Sequence, residues 1–168
     1  MQELNDIAEL VHGPGETMPG SSMTNEEAMA FFQEQGGRGE YCLVRDWIWV
    51  DLDLTEAEIQ ILEKSRRQPT LVYAHTVIFD SDRRWDVGDF VRTSPLLAFE
   101  KGFLFRTFNT TYILLGDGLR KRATLKTVGR IFCAVRAGLN SNTHTPCEKS
   151  RRLVATPVCI QERSEEIK

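Results

Sequence analysis

The sequence predicts an α+β fold, built as a small antiparallel β-barrel or a strongly twisted sheet with two or three short helices in its N-terminal half. Two capping boxes, which begin at Thr24 and at Thr55, indicate helix starts. Residues 40–52 and 70–132 are rich in β-branched and aromatic residues, and in the second stretch turn residues recur about every 8–12 positions. These patterns together predict helices in the first part of the chain and a run of short strands after them.

Three segments of the N-terminal half are candidates for the two or three predicted helices. The first covers residues 2–11, where apolar residues recur at helical spacing before a Gly-Pro-Gly run ends it. The second begins at the Thr24 capping box and continues to about Gln35. The third begins at the Thr55 capping box, and Pro69 prevents its continuation because proline lacks the amide hydrogen that a helix needs.

The strands after the third helix are predicted to extend from Thr70 to about Phe132. Gly, Asn, Asp and Ser residues mark the turns between them, because these residues adopt turn conformations easily. The turn signals are Asp80-Ser-Asp-Arg, Asn109 and Gly116-Asp-Gly118. Before the third helix, residues 40–52 are expected to form one long strand or a bent pair.

One α+β domain is expected over residues 1–136, with a helical, acidic part (1–68) and a β-rich part (69–136). Residues 137–168 begin with a stretch rich in Gly, Asn, Ser, Thr and Pro and end in a charged tail. We expect them to form a C-terminal extension that docks on the body or stays partly mobile.

The composition of this 168-residue chain is that of a globular protein, since 41% hydrophobic and 27% charged residues are ordinary values. No run of about 18 apolar residues occurs, and the first residues are acidic where a secretory signal is basic and then apolar. We therefore expect a cytoplasmic protein with no membrane partner. The cysteines lack metal-ligand spacing and are expected to be free thiols: Cys42, Cys133, Cys147 and Cys159.

The net charge of −3 hides a division between the two parts of the chain. Residues 1–68 contain 14 acids and 5 bases, whereas residues 69–168 contain 10 acids and 16 bases. Such asymmetry bears on partners rather than on fold. The acidic part could imitate phosphates toward a basic partner, and the basic part could face nucleic acid or an acidic protein. Alternatively, the two parts dock on each other within the chain and neutralise the asymmetry.

No catalytic, metal or cofactor signature is present, and we predict none of the three. Asp51 and Asp53 could hold a divalent cation, although acids are common before a helix because they complement its dipole. His75 is the candidate for a general base, but its place in a predicted strand is more typical of a structural histidine. A second acidic group, interrupted by Arg83 and Arg84, indicates a polar turn: Asp80, Asp82, Asp86 and Asp89.

A group of five basic residues is the sharpest candidate for a binding site: Arg120, Lys121, Arg122, Lys126 and Arg130. If Arg120 and Arg122 share one face of a strand, and Lys126 and Arg130 continue it, the group could match a phosphate backbone or an acidic protein surface. Nearby aromatic residues could stack on bases but suit a core equally well: Phe103, Phe105, Phe108 and Tyr112. The tryptophans are expected in the core or at its rim: Trp47, Trp49 and Trp85.

Four sequence motifs carry a resemblance to a known family. They are Met23-Thr24-x-Glu26-Glu27-Ala28, Tyr41-Cys42-Leu43-Val44, Gly88-Asp89-x-Val91-Arg92-Thr93-Ser94-Pro95-Leu96 and Gly102-Phe103-Leu104-Phe105-x-Thr107-x-Asn109-Thr110-x-Tyr112-x-Leu114-Leu115-Gly116. Through them residues 19–132 resemble a family of uncharacterised small proteins encoded by pseudomonad-type bacteria and their prophages. The resemblance implies no catalytic or binding residue, because the family has no assigned activity. It does imply a mobile-element context, in which small proteins often bind and block host machinery.

The leading hypothesis is a non-enzymatic binding protein, an inhibitor of a host or antiviral-defence complex that handles nucleic acid. Its partner would be a host protein or a protein–nucleic acid complex. The first alternative is a direct nucleic-acid-binding protein that uses the basic group between residues 120 and 130. The second is a metal-dependent hydrolase or nuclease that uses Asp51 and Asp53. The sequence predicts no particular oligomeric state.

Overall fold

The structure is a computed structural model, and it describes residues 2–36 and 39–138. Within them lie four helices: α1 (Gln2–His12), α2 (Asn25–Glu34), α3 (Glu56–Lys64) and α4 (Leu125–Gly138). The longer strands are β2 (Glu40–Asp53), β3 (Thr70–Asp80), β7 (Thr110–Leu114) and β8 (Gly118–Thr124). The shorter strands are β1 (Glu16–Met18), β4 (Val91–Arg92), β5 (Ala98–Glu100) and β6 (Leu104–Arg106).

Both predicted capping boxes are present at the starts of α2 and α3. Thr24 Oγ1 accepts a hydrogen bond from the Glu27 amide at 3.2 Å, and the Glu27 carboxylate accepts one from the Thr24 amide at 2.8 Å. Thr55 and Glu58 repeat this arrangement, with distances of 3.4 Å and 2.8 Å. Because these bonds satisfy amides that a helix leaves unpaired at its start, they fix where each helix begins.

The long strand β2 is the centre of a mixed sheet. It pairs antiparallel with β3 along one side, and on its other side it pairs parallel with β7 and then with β8. β1 pairs with β8, while β6 and β5 continue the sheet beyond β7. The sheet also curls, since residues 93–96 hydrogen-bond to β3 through Thr93 and Leu96 before the chain enters β5.

Trp47 lies where β7 gives way to β8, and two glycines make room for its indole ring. The ring is 1% exposed, and its Nε1 atom donates to the Gly116 carbonyl at 3.1 Å. A side chain at Gly118 would overlap the ring, and one at Gly20 would overlap the Gly116 carbonyl. The gap between β7 and β8 along β2 therefore accommodates this tryptophan.

The curled sheet has a hydrophobic core on its inner face and helices on its outer face. The inner core includes Trp47, Trp49, Phe105 and Tyr112. On the outer face, α1 and α4 cover a second cluster around Ile48 and Val50, and α2 covers a third around Leu43 and Ile113. β2 is thus buried on both faces, which explains its nearly continuous run of apolar residues.

The predicted α+β class and strongly twisted sheet are confirmed, and the N-terminal helices lie where they were expected. The sheet is mixed rather than antiparallel, because β2 pairs parallel with β7 and β8. The prediction of strands up to Phe132 is wrong beyond Thr124, because α4 begins at Leu125. The Thr124 hydroxyl accepts from the Thr127 amide at 3.2 Å, and Val128 and Ile131 have helical spacing and are buried. Most of the predicted C-terminal extension, residues 139–168, lies outside the described residues. None of the described helices has both the length and the apolar character required to cross a membrane.

Candidate functional site

The five predicted basic residues lie on two consecutive elements. Arg120, Lys121 and Arg122 are neighbours on β8, and Lys126 and Arg130 lie in the first turns of α4. Side chains alternate between the two faces of a strand, so Arg120 and Arg122 lie on one face and Lys121 on the other. The predicted common face for Arg120 and Arg122 is therefore present, whereas Lys121 does not belong to it.

Arg120 and Arg122 form a ladder of ion pairs with two aspartates of β2. Arg120 Nε lies 2.7 Å from Asp51 Oδ2, and Arg122 Nη1 lies 3.9 Å from Asp53 Oδ1. The side chains of Arg120 and Arg122 are nevertheless 52% and 79% exposed. We call these four residues the charged ladder. It presents alternating positive and negative groups to solvent at the end of the sheet.

Asp51 is the best-fixed member of the charged ladder. Its Oδ1 atom accepts from Trp49 Nε1 at 3.0 Å and lies 3.5 Å from the Thr70 hydroxyl, while Oδ2 accepts from Arg120. The hydrogen bond to Asp51 raises the pKa of Arg120 further above its usual value. Because Trp49 is itself packed in the inner core, the position of this carboxylate is set by the core rather than by solvent.

Lys121 lies on the outer face of the sheet and binds the end of α1. Its ammonium group donates to three backbone carbonyl oxygens at the end of α1: Glu9 at 3.1 Å, Leu10 at 2.8 Å and Gly13 at 2.6 Å. Burial lowers the pKa of Lys121, and the Glu9 carboxylate opposes that shift. The three donors of the ammonium group are thus engaged within the chain.

An open groove of about 450 Å³ runs beside β8 and the end of α1. Arg120, Lys121 and Arg122 line it together with three acids, Asp6, Glu9 and Asp53. Lys126 and Arg130 line a smaller adjoining cavity of about 110 Å³, which Asp6 also borders. The surroundings of the basic group are therefore of mixed charge.

The other candidate residues from the sequence make contacts within the fold. The described residues contain no cluster of three or more His, Cys, Asp or Glu side chains that could hold a metal ion, and Asp51 is engaged as described above. His75 Nε2 lies 3.1 Å from the Val11 carbonyl oxygen, and its ring stacks on His12.

Trp47 and Trp49 are buried in the inner core, and Trp85 packs against it. Of the four aromatic residues near the basic group, Phe105 and Tyr112 are in that core and Phe108 is 72% exposed.

A buried polar cluster around Arg84 was missed at the level of sequence. Arg84 donates to both oxygens of the fully buried Asp80 carboxylate and also to Glu40 and Thr110. Burial is the largest single effect and would lower the pKa of Arg84, but the hydrogen bonds and charge of Asp80, together with Tyr112 and Glu40, outweigh it and raise that pKa. Glu40 and Thr110 are 44 and 26 positions away from Arg84 in the chain. Only the spacing of four between Asp80 and Arg84 could therefore have indicated this cluster.

The comparisons with known proteins give one match. A family model described as a domain of unknown function, DUF6957, matches residues 19–130, close to the limits of the resemblance described above. No curated protein and no solved structure matches the chain. Elements α1 and β1 precede the matched region, whereas the charged ladder and Lys121 lie inside it.

Proposed function

The chain belongs to the family DUF6957, a domain of unknown function, and we propose that it is a non-enzymatic binding protein whose charged ladder docks on another protein. The observation that carries this proposal is that Asp51 holds Arg120 by a 2.7 Å hydrogen bond and Arg122 lies beside Asp53, while more than half of each arginine side chain stays exposed. A charged group that is already fixed loses little conformational freedom when a partner binds.

The alternating signs of the charged ladder favour a protein partner. A protein surface can offer carboxylates to Arg120 and Arg122 and ammonium or guanidinium groups to Asp53, which is 56% exposed. Electrostatic complementarity of this kind fixes the register of two surfaces and rejects wrong partners. A phosphate backbone offers only negative charge, so it has no group that could pair with Asp53.

The resemblance noted from the sequence extends this proposal to a class of partner. In a mobile-element context the partner is a host protein or protein–nucleic acid complex in the cytoplasm, including the complexes of antiviral defence. Docking of the charged ladder on such a complex would block its working surface without any chemical step. On this proposal, a small folded protein with an exposed charge pattern is enough to block its partner.

Affinity capture from a bacterial host lysate tests the proposal, performed with and without nuclease treatment. We expect one stoichiometric protein to be recovered with the chain and to remain after nuclease digestion. The nuclease treatment is the control, because it removes any protein that is bridged by DNA or RNA. Recovery that disappears after digestion would contradict direct protein docking.

Direct nucleic-acid binding is the second candidate, and the loose contact of Arg122 with Asp53 favours it, because 3.9 Å leaves this guanidinium group available. Binding of labelled DNA or RNA should then weaken steeply as salt rises, since each phosphate contact releases counterions. The measurement is fluorescence anisotropy over a range of salt concentrations. Binding that is absent even at low salt would remove this candidate.

A further inference from the structure

We propose that the outer face of the sheet carries a binding site for the C-terminal end of an amphipathic helix, and that a partner protein's helix can displace α1 from it. We call this site the helix-end site, and its principal residues are Tyr73, His75, Lys121, Ala123 and Val128. Its side chains lie on the opposite face of β8 from those of the charged ladder, so different residues form the two sites.

The donors of the helix-end site reach carbonyl oxygens at the C-terminal end of α1. A helix leaves about four carbonyls at this end without an amide partner of its own. Lys121 contacts the carbonyls of Glu9, Leu10 and Gly13, of which that of Glu9 also accepts from the Gly13 amide at 2.8 Å, and His75 Nε2 lies 3.1 Å from that of Val11. Lys121 comes from β8 and His75 from β3, so two separate strands supply these donors. A cation here also complements the negative end of the helix dipole.

The floor of the helix-end site is apolar and matches one stripe of α1. Leu10 is buried, and Ile7 and Val11 pack beside it at helical spacing. Beneath them lie residues of β2, β3, β8 and α4: Ile48, Val50, Tyr73, Ala123, Val128 and Ile131. Apolar residues at positions i, i+3 and i+4 are the usual anchors of a helix in a groove.

These contacts recognise the general features of a helix end rather than the particular sequence of α1. Lys121 and His75 contact backbone carbonyls, which every helix has, and the floor contacts only an apolar stripe. The partner's helix must therefore have three apolar residues in that pattern and must end soon afterwards, as α1 does at His12. The polar residues of the partner's helix do not take part in these contacts.

The family match includes the principal residues of the helix-end site but not the helix α1 that now fills it. The match begins at residue 19, so α1 lies outside it, whereas Tyr73, His75, Lys121, Ala123 and Val128 lie inside. A short Gly13-Pro14-Gly15 segment connects α1 to β1. An isolated helix of this length is marginally stable in water, so α1 depends on docking for its order. Because α1 is tethered beside the site, a partner's helix has to compete with it.

The test uses a fluorescent peptide with the sequence of residues 2–15 as the probe, and the full chain as the receptor. In the Leu10→Ala chain the tethered α1 is weakened because it loses its buried anchor. We expect the peptide to bind this variant about tenfold or more tightly than the wild-type chain. Adding Lys121→Met to the Leu10→Ala chain should weaken peptide binding about tenfold, since the donors to the carbonyls are lost. Adding Arg106→Met instead should leave binding unchanged, because Arg106 lies on β6 and is 49% exposed.

Two results would overturn the proposal. One is equal peptide binding by the Leu10→Ala and wild-type chains, with the variant shown to be folded by its thermal melting curve. The other is equal loss of binding in the Lys121→Met and Arg106→Met backgrounds. If Leu10→Ala does not fold, hydrogen exchange on the wild-type chain decides the question. The amides of α1 should exchange well before those of β2, and exchange of the two elements at the same rate would contradict a displaceable helix.

Discussion

Arg120 donates a 2.7 Å hydrogen bond to Asp51 across the parallel strands β8 and β2, and this pair joins the basic part of the chain to the acidic part. Lys121 adds a second link, because it binds the end of α1, where Glu9 also lies. Some of the charge asymmetry in the sequence is therefore compensated within the chain, as the intramolecular alternative expected. The charged ladder is therefore an alternating local pattern rather than a broad basic field.

The ion pair of Asp51 and Arg120 should contribute little to stability, because its arginine is exposed. A double-mutant cycle with Asp51→Asn and Arg120→Gln, measured by urea denaturation, should give a coupling energy of about 0.2–1 kcal/mol, as exposed pairs do. The small value follows from the 52% exposure of Arg120, since solvent screens the interaction. A coupling energy of several kcal/mol would mean that the pair holds the fold together, and the charged ladder would then be primarily structural.

Arg84→Met should destabilise the protein far more than the same change at an exposed arginine. The Asp80 side chain is fully buried and Arg84 is 10% exposed, so the substitution leaves a buried carboxylate without its cation. The expected loss is about 3–5 kcal/mol in the free energy of unfolding. Arg106→Met is the matched control, because Arg106 pairs with Glu100 at 2.9 Å but is 49% exposed. Equal losses in the two variants would show that the Arg84 cluster is not buried as described.

Two Gly→Ala substitutions should have opposite effects on the free energy of unfolding. In Gly118→Ala the new methyl group overlaps the Trp47 ring, and the variant should lose about 1–3 kcal/mol or more. In Gly129→Ala the methyl group meets nothing within 4 Å. This second variant should gain about 0.5–1 kcal/mol, because alanine favours the helix α4. Urea denaturation measures both, and a neutral Gly118→Ala would contradict the position given to Trp47.

Cys42 should react with thiol reagents only when the protein unfolds. Its side chain is fully buried in the inner core, and burial raises the pKa of the thiol well above its usual value. Both effects suppress the thiolate that would react. Mass spectrometry after iodoacetamide treatment should find the Cys42 peptide unmodified in native buffer and modified in concentrated denaturant. Rapid modification in native buffer would be inconsistent with this packing.

Local signals explain which elements could be predicted from the sequence. The capping boxes at Thr24 and Thr55 lie within four residues of chain, and their helices begin where predicted. The parallel pairing of β2 with β7 and β8 could not be read in this way, because the partners are about 70 positions apart and tertiary packing sets their register. The start of α4 was missed because the apolar residues Ala123, Val128 and Ile131 suit either a strand or a helix when taken alone.

The site shows the same division between local and distant information. Composition drew attention to Arg120 and Arg122, and the D-x-D pattern drew attention to Asp51 and Asp53 as a separate metal hypothesis. Their pairing depends on the register of two parallel strands, so the sequence alone could not bring them together. The role of Lys121 follows from side-chain alternation once β8 is known, but its acceptors lie more than 100 positions away.

The most direct test of the charged ladder is a charge swap that keeps the internal ion pair while reversing the pattern shown to a partner. Asp53→Arg with Arg122→Asp makes this exchange at two exposed positions, and Glu100→Arg with Arg106→Glu is the matched exchange on β5 and β6. The measurement is the amount of the nuclease-resistant partner that each folded variant recovers from host lysate. We expect about a tenfold or greater loss for the first swap and none for the second. Wild-type recovery by the Asp53→Arg, Arg122→Asp chain would contradict docking through the charged ladder.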